Sequence, residues 1–325
     1  MRFLITGGSG FIGYYLAEKI SSKKNNEVVI VDNFSRGKKD YQFEELVKRK
    51  NVSVLTGDLV EKSTWKRIGS KYDFCFHLAA KVGVQNVVNN PYITLSENIR
   101  MTDLAINNFN SCKNLKKFIF MSTSEIYAET ISKSMAIIPT PEETNIILPD
   151  TSLPRTSYML SKIYGEALLQ SSGLSYIIFR PHNIFGPRMG MSHVIPELLK
   201  KIFINGNTKS LDVYSPNHTR TFCYIVDAIE MIILSLENSG KKNHILNLGN
   251  SQPEIKILDL AKILLKISDR KEKIKKLDVI QGSPKRRCPN IDKILELTNF
   301  DKFTDLERAL IETKNWYFRI FRDNK

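Results

Sequence analysis

The chain begins Met1-Arg-Phe-Leu-Ile-Thr-Gly-Gly-Ser-Gly-Phe-Ile-Gly13, and this stretch decides how the rest is read. Phe3 to Ile5 is a short apolar run of the kind that forms a buried strand. Gly7, Gly10 and Gly13 follow at G-x-x-G-x-x-G spacing. Phe11, Ile12, Leu16 and Ile20 then recur on one face of a helix. Such a turn lets the backbone approach a pyrophosphate and aims helix N–H groups at its charge. A glycine turn is often only a turn. Here a strand precedes it and a helix follows, the context a dinucleotide site needs.

A second apolar run, Val28 to Val31, ends in Asp32. That acid lies about 20 residues past Gly13, where a ribose-binding carboxylate is expected. It would accept hydrogen bonds from the ribose hydroxyls and repel a 2′-phosphate, which favours NAD over NADP. Arg36, a few residues on, keeps NADP open as a second reading.

The 325 residues suffice for two domains or one large α/β unit. A hydrophobic content of 42% and a charged content of 25% suit a globular chain. No apolar run has the length of a membrane span, and Met1 leads straight into a strand, which leaves no room for a signal peptide. Cys75, Cys112, Cys223 and Cys288 are scattered, without a C-x-x-C pair, as in reduced cytoplasmic proteins. The net charge of +14 raises nucleic acid, membrane or an acidic metabolite as partner. The lysines, however, lie in small groups such as Lys23-Lys24, Lys48-Arg49-Lys50 and Lys275-Lys276, with no basic stripe interleaved with aromatics. Neither nucleic acid nor membrane is therefore expected, and the charge is read as solvated surface that helps attract a doubly charged substrate. No cluster has metal-ligand spacing.

Further strands are expected at Asn51–Thr56, Asp73–Leu78, Lys117–Ser122 and Ser175–Arg180, with helical patterns between them such as 96–111. Regular alternation predicts a parallel sheet with helices on both faces. Ligands bind such sheets at the carboxyl ends of the strands. Gly7, Asp32, Asp58, Ala79-Ala80-Lys81 and Ser122-Thr123 all fall at such ends. Asp58 reads equally as a helix N-cap or as an acceptor for an adenine amino group. His77, inside an apolar run, reads as a buried core histidine.

The chemical centre is Tyr158-Met-Leu-Ser-Lys162. Residues four apart share a helix face. An ammonium nearby favours phenolate, so the tyrosine pKa is expected to fall. A tyrosine so tuned can take a proton from a sugar hydroxyl. By itself the spacing is common on surface helices; with the glycine turn, Asp32 and Ser122-Thr123 it becomes a site.

Several motifs together resemble the extended short-chain dehydrogenase/reductases. They are Thr6-Gly-Gly-Ser-Gly-Phe-Ile-Gly13, Val31-Asp-Asn-Phe-Ser35, His77-Leu-Ala-Ala80, Ser122-Thr-Ser-Glu-Ile-Tyr127, Tyr158-x-x-x-Lys162 and Arg180-Pro-His-Asn-Ile-Phe-Gly-Pro-Arg188. More narrowly they are similar to the NAD-dependent epimerase/dehydratase family acting on nucleotide sugars. The likeness runs on to Lys285-Arg-Arg-Cys-Pro-Asn290 and the closing helix.

The resemblance implies a Rossmann-type doubly wound parallel sheet over 1–178, with a returning segment near 219–240. A smaller α/β substrate-binding domain would cover 179–325. It implies NAD contacts from Gly7, Gly10, Phe11, Ile12, Gly13, Asp32, Asn33, Ser35, Arg36, Asp58, Leu59, Leu78, Ala79, Ala80 and Lys81, joined by Tyr158 and Lys162. Tyr158 would be the base in oxidation of sugar carbon 4, Lys162 its tuner, and Thr123 the hydroxyl that holds the carbon-4 oxygen. Glu125 matches the carboxylate that takes the carbon-5 proton in dehydratases. Ser124 stands where dTDP-glucose dehydratases carry aspartic acid, and the Thr-Ser-Glu run resembles GDP-mannose dehydratases and UDP-glucuronate decarboxylases. The expected outcome is a 4,6-dehydratase-type reaction. The alternatives are a 4-epimerase, a 4-dehydrogenase or a uronate decarboxylase, and, in another class, a non-catalytic NAD-binding regulator.

The resemblance also assigns Asn183, Arg220 and Arg287 to the diphosphate and His193-Val194 to the base of a UDP-, GDP-, CDP- or dTDP-sugar. Guanidinium groups suit phosphate oxygens, and either Arg286 or Arg287 could serve. Asp227 reads as a helix N-cap. Helices 96–111 and 158–171 correspond to those that pair in homodimers of the family.

Overall fold

The computed structural model describes residues 1–37, 39–110, 112, 114–204, 210–279 and 284–323. The first half alternates strand and helix. The elements are β1 (Arg2–Thr6), α1 (Phe11–Ser21), β2 (Glu27–Asp32), α2 (Tyr41–Val47), β3 (Val52–Thr56), α3 (Lys62–Ile68), β4 (Phe74–His77), α4 (Val84–Asn89), α5 (Pro91–Asn110), β5 (Lys117–Met121), α6 (Ala128–Ser132), α7 (Thr156–Ser171) and β6 (Tyr176–Pro181). Each expected strand forms. The expected helix 96–111 begins earlier, at Pro91, where a proline suits the first helical position. Its expected last residue, Ser111, lies outside the described residues.

The sheet has seven strands. Its order is His244–Leu248, β6, β5, β4, β1, β2, β3. β1 lies parallel between β2 and β4, with Thr6 opposite Val31 on one side and His77 on the other. Strands covered on both faces read as continuous apolar runs. Accordingly, every residue of β5 is buried, even Lys117, whose ammonium donates to Ser175 Oγ and the Lys242 carbonyl. One face packs Leu4, Val31, Phe118 and Phe120 against Trp65, Met101, Phe109 and Leu169. His77 is part of this interior, as expected. Its Nδ1 lies 3.0 Å from Thr6 Oγ1, its ring stacks on Phe120, and burial pushes its pKa down to about 3. α7 lies close on the same strand: a Cβ at Gly165 would come within 2.5 Å of the Phe120 ring.

The chain divides into two compact units. One comprises Met1–Ile126, Leu148–Arg180 and Ile232–Leu246; the other Tyr127–Ile147, Pro181–Met231 and Asn247–Lys325. The division differs from the expected one in two places. Residues 127–147 group with the second unit, because Thr140 pairs with the 288–290 segment through backbone bonds. The returning segment is 232–246 rather than 219–240.

In the second unit, Thr219–Arg220 lies between Ile255–Lys256 and Arg286–Arg287. Its helices are α8 (Val194–Ile204), α9 (Ile225–Asn238, shared with the first unit), α10 (Ile257–Ile267), α11 (Asp292–Thr298) and α12 (Leu306–Asp323). α8 and α12 meet through Phe203, Phe318 and Phe321. Asp227 does not cap its own helix. Its carboxylate accepts the Thr304 N–H and hydroxyl, tying α9 to the segment before α12. No described helix is long and apolar enough to cross a membrane.

Candidate active site

The glycine turn closes on itself and on the end of β4. Gly7 has φ +70°, and a Cβ there would sit 2.9 Å from the Ala79 backbone. A Cβ on Gly13 would overlap the Gly7 carbonyl oxygen. α1 opens at Phe11, with Ile12 next, and Gly10 in the cap position brings no side-chain acceptor to its first N–H groups. Asp32, 9% exposed, joins two turns: Oδ2 accepts the Ser9 N–H at 3.0 Å and Oδ1 the Phe34 N–H at 2.8 Å. Asn33 donates to Asp58 Oδ2 and accepts from the Ser35 N–H. Asp58 does not cap α3, where Glu61 holds that position; it accepts the Val60 N–H instead. Leu59 is buried beside it. After β4, Leu78 and Ala79 bond back to Thr6, and Ala80 and Lys81 follow. The Lys81 backbone is held at both its N–H and its carbonyl by the Asn98 side chain, which also donates to Ser161 Oγ. The Lys81 ammonium pairs with Glu97 at 3.1 Å. Arg36 is exposed as a residue, yet surrounding protein desolvates its guanidinium and its charge acts on Tyr158.

A glycine turn that tolerates no side chain, an uncapped helix start and a nearly buried carboxylate at the end of β2 fit a dinucleotide with unphosphorylated ribose.

The residues after β5 form a 3₁₀ turn, Ser124–Tyr127, in which the Glu125 N–H donates to Thr123 Oγ1 at 3.2 Å. Thr123 and Ser124 are buried and Glu125 is half-buried. The Thr123 hydroxyl acts on the Tyr158 phenol in the direction of phenolate. Lys162, 4% exposed, donates to the Met121 carbonyl at 2.7 Å and lies 5.9 Å from the centre of the Tyr158 ring.

The expected fall in the tyrosine pKa does not occur. Burial, then the Glu125 carboxylate, pushes Tyr158 up to about 12, against the Thr123 hydroxyl and Arg36. Tyr158 is half-buried, and its resting form is the phenol. Lys162 is itself drawn down to about 8 by burial, with Glu166 opposing. Its ammonium is turned to Met121 rather than to the phenol oxygen.

Sequence reasoning passed over Glu166 and Asn98. Glu166 is the next residue after Tyr158 and Lys162 in a four-residue recurrence on α7, a visible signal. Asn98 falls on the buried face of α5 with Met101, Thr102 and Ala105.

In the second unit, Asn183 (φ +42°) donates to the Thr221 carbonyl. His193 precedes α8 and is exposed, and Val194 starts that helix. Arg220 is buried, and its guanidinium donates to the carbonyls of Thr219, Pro284 and Lys285. Arg287 is its register partner, so the two side chains leave the sheet on one face. Arg286 points the other way, into a two-toothed pairing with Glu254. Among the described residues no three His, Cys, Asp or Glu side chains are grouped as metal ligands would be.

This fold with this site defines an NAD-dependent enzyme of the extended short-chain dehydrogenase/reductase class that works on nucleotide sugars. Residues 3–249 match the NAD dependent epimerase/dehydratase family, and the chain belongs to it. It is similar to the UDP-N-acetyl-alpha-D-glucosaminuronate decarboxylase of Bacillus cytotoxicus, 31% identical over 99% of each chain. It is 30% identical to UDP-glucuronic acid decarboxylase 1 of Xenopus tropicalis, over 98% of this chain and 72% of that protein. Among solved structures, UDP-glucuronic acid 4-epimerase from Bacillus cereus in complex with NAD superposes with a TM-score of 0.83. The identity is 25%, over 99% of this chain and 100% of that one.

Proposed function

We propose that the chain removes carbon dioxide from a UDP-linked hexuronic acid through a 4-keto intermediate. The observation that carries this is the turn after β5, where the Thr123 hydroxyl acts on Tyr158 and a serine, not an acid, precedes Glu125. Expelling a carbon-6 hydroxyl calls for a proton donor, and Ser124 is a poor one. Loss of carbon dioxide beside a 4-ketone needs no acid at the leaving group, because the breaking bond's electrons pass into the carbonyl. Both curated relatives above are uronic-acid decarboxylases.

Bound NAD would supply the hydride acceptor for carbon 4, a positive charge beside Tyr158, and the hydride's return. Tyr158 would take the carbon-4 hydroxyl proton, with Thr123 holding the oxygen. Arg36 offers cationic charge toward the phenolate, and Lys162 would add to it on turning from the Met121 carbonyl. After carbon dioxide leaves, carbon 5 of the enolate would take a proton from solvent, relayed through Glu125, as the 4-ketone re-forms. Asp32, Asn33, Ser35, Asp58 and the glycine turn would hold the dinucleotide. Arg220 and Arg287 would meet the diphosphate, with Asn183 beside them and His193-Val194 at the uracil. We also propose a homodimer through α5 and α7, whose Tyr92 and Tyr164 are 80% and 46% exposed.

A second reading, the 4,6-dehydratase expected from Glu125, is separated by one experiment. Purified protein is incubated with UDP-glucuronic acid, UDP-N-acetylglucosaminuronic acid and dTDP-glucose and read by mass spectrometry. A product lacking carbon dioxide is expected, carrying one solvent deuterium at carbon 5 in heavy water. Loss of water, or an isomer of equal mass, would overturn decarboxylation in favour of dehydration or epimerisation. Light scattering checks the dimer, and a monomer at micromolar concentration would refute it.

A further inference from the structure

Behind Lys162 lies a buried ion pair that the proposed chemistry does not use. Glu166 is one turn further along α7. Its carboxylate accepts Ser122 Oγ at 2.5 Å, Arg180 Nε at 3.0 Å and Arg180 Nη2 at 2.6 Å. Glu166, Arg180 and Ser122 are 3%, 5% and 2% exposed. Lys162, on the turn before, donates to the carbonyl of Met121, the neighbour of Ser122. Two successive turns of α7 are thus fastened to the same end of β5, and Arg180 extends the fastening to β6.

We propose that Glu166 is a positioning residue for this site: paired with Arg180, it fixes α7 against the end of β5 and keeps Lys162 an ammonium beneath Tyr158. The inference rests on the reading above in which Tyr158 and Lys162 act in the reaction.

Stability alone does not account for the arrangement. A buried ion pair is generally no more stabilising than an apolar pair of like volume, because desolvation offsets the attraction. What an apolar pair would lack is the hydrogen bond to Ser122, which orients the strand end that carries Thr123. It would also lack a negative charge near Lys162. The groups around that lysine can be named element by element. On α7 they are Tyr158 and Glu166; from β4, neutral His77; from β5, the Phe120 ring at 4.8 Å and the Met121 carbonyl. From β6 comes Arg180, on the carboxylate of Glu166. Beyond Tyr158 lie Glu125 and Arg36. Of these, Glu166 is the carboxylate that acts directly to hold the Lys162 proton, against burial that removes it.

The test uses the full chain with its cofactor. Glu166→Gln alone takes from Arg180 the carboxylate it pairs with, so the informative variant is Glu166→Gln with Arg180→Met, which removes both charges at similar volume. Two quantities are read: the pH dependence of kcat/KM, and the titration of the Lys162 side chain by [15N]lysine NMR, assigned with Lys162→Met. In the double variant the Lys162 titration should move down by about one unit, the scale on which a neighbouring charge acts. The alkaline limb of the rate profile should move with it. Glu166→Asp, which restores the charge, should bring both back toward wild type. An unchanged Lys162 titration in the folded double variant would overturn the inference. A titration that moves while the rate profile stays would uphold it and instead remove Lys162 from the reaction.

Discussion

The Thr123 hydroxyl, just after β5, acts on the Tyr158 phenol of α7 to favour its ionised form, with the Glu125 carboxylate opposing it. A donor and a base thus converge where one substrate oxygen could lie between them. Tyr158→Phe keeps the ring and its packing and removes the proton acceptor. Turnover should fall roughly 10²- to 10⁴-fold, while NAD affinity, measured by titration, stays within a few-fold. A near-normal rate would move the chemistry elsewhere.

Lys162 should cost stability where it serves the reaction. Its native pKa, about 8, lies below the ordinary 10.5. The fold therefore favours the neutral amine. The stability linked to that preference is full above pH 10.5 and is lost as pH falls to about 8. At pH 7 the buried ammonium costs on the order of 1–3 kcal/mol. Lys162→Met should abolish turnover yet raise the thermal midpoint at pH 7, with the gain shrinking as pH approaches 10. A lower midpoint at neutral pH would contradict this.

His77 sets an acid limit of its own. Its pKa of about 3 in the fold, against 6.5 when free, means that only the unfolded chain takes up the proton between those values. The stability it contributes is complete above pH 6.5 and is lost progressively as pH falls to about 3, by up to roughly 4 kcal/mol. His77→Phe should be less stable at pH 7, having lost the bond with Thr6, but should show a shallower loss on acidification. Denaturant titrations at neutral and acidic pH compare the slopes; equal slopes would exclude His77 as the cause.

The register of the short strands separates two neighbouring arginines. Arg287 shares a face with Arg220, whereas Arg286 is held by Glu254. Arg287→Met should raise KM for the sugar nucleotide about tenfold or more, the size of a charge-assisted phosphate bond, with less change in kcat. Arg286→Met should leave KM nearly unchanged. The reverse order in steady-state kinetics would exchange their roles.

Apart from β3, a largely exposed edge strand, the expected strands were legible because they are buried and carry few polar residues. The seventh, His244–Leu248, was not. Asn247 interrupts its apolar run, and the reason lies in contacts no periodicity records. Its amide donates to the carbonyls of Thr140 and Asn290 and accepts from the Tyr127 hydroxyl. Strands of two residues, such as Thr219–Arg220, have no period to read. At the site, the Tyr158–Lys162 spacing became informative only beside the glycine turn, Asp32 and Ser122-Thr123, and the role of Thr123 came from the family resemblance. The direction of the Tyr158 pKa could not be read that way, because burial and the approach of Glu125 are set by the fold. Sequence does not distinguish Glu166 from a helix-surface acid four residues from a lysine; the sheet beneath α7 makes it an interior charge.

Asp32 has a consequence for how the cofactor preference could change. Each of its two oxygens already anchors a backbone N–H, one from the glycine turn and one from the loop after β2. Replacing it with a small neutral residue, the obvious step toward accepting a 2′-phosphate, would release both loops at once. Discrimination against the phosphorylated dinucleotide and the shape of the pocket are therefore written in the same carboxylate. An altered preference would have to be reached through compensating changes in both turns, and single substitutions at this position should lose affinity for either dinucleotide before they gain any for the other.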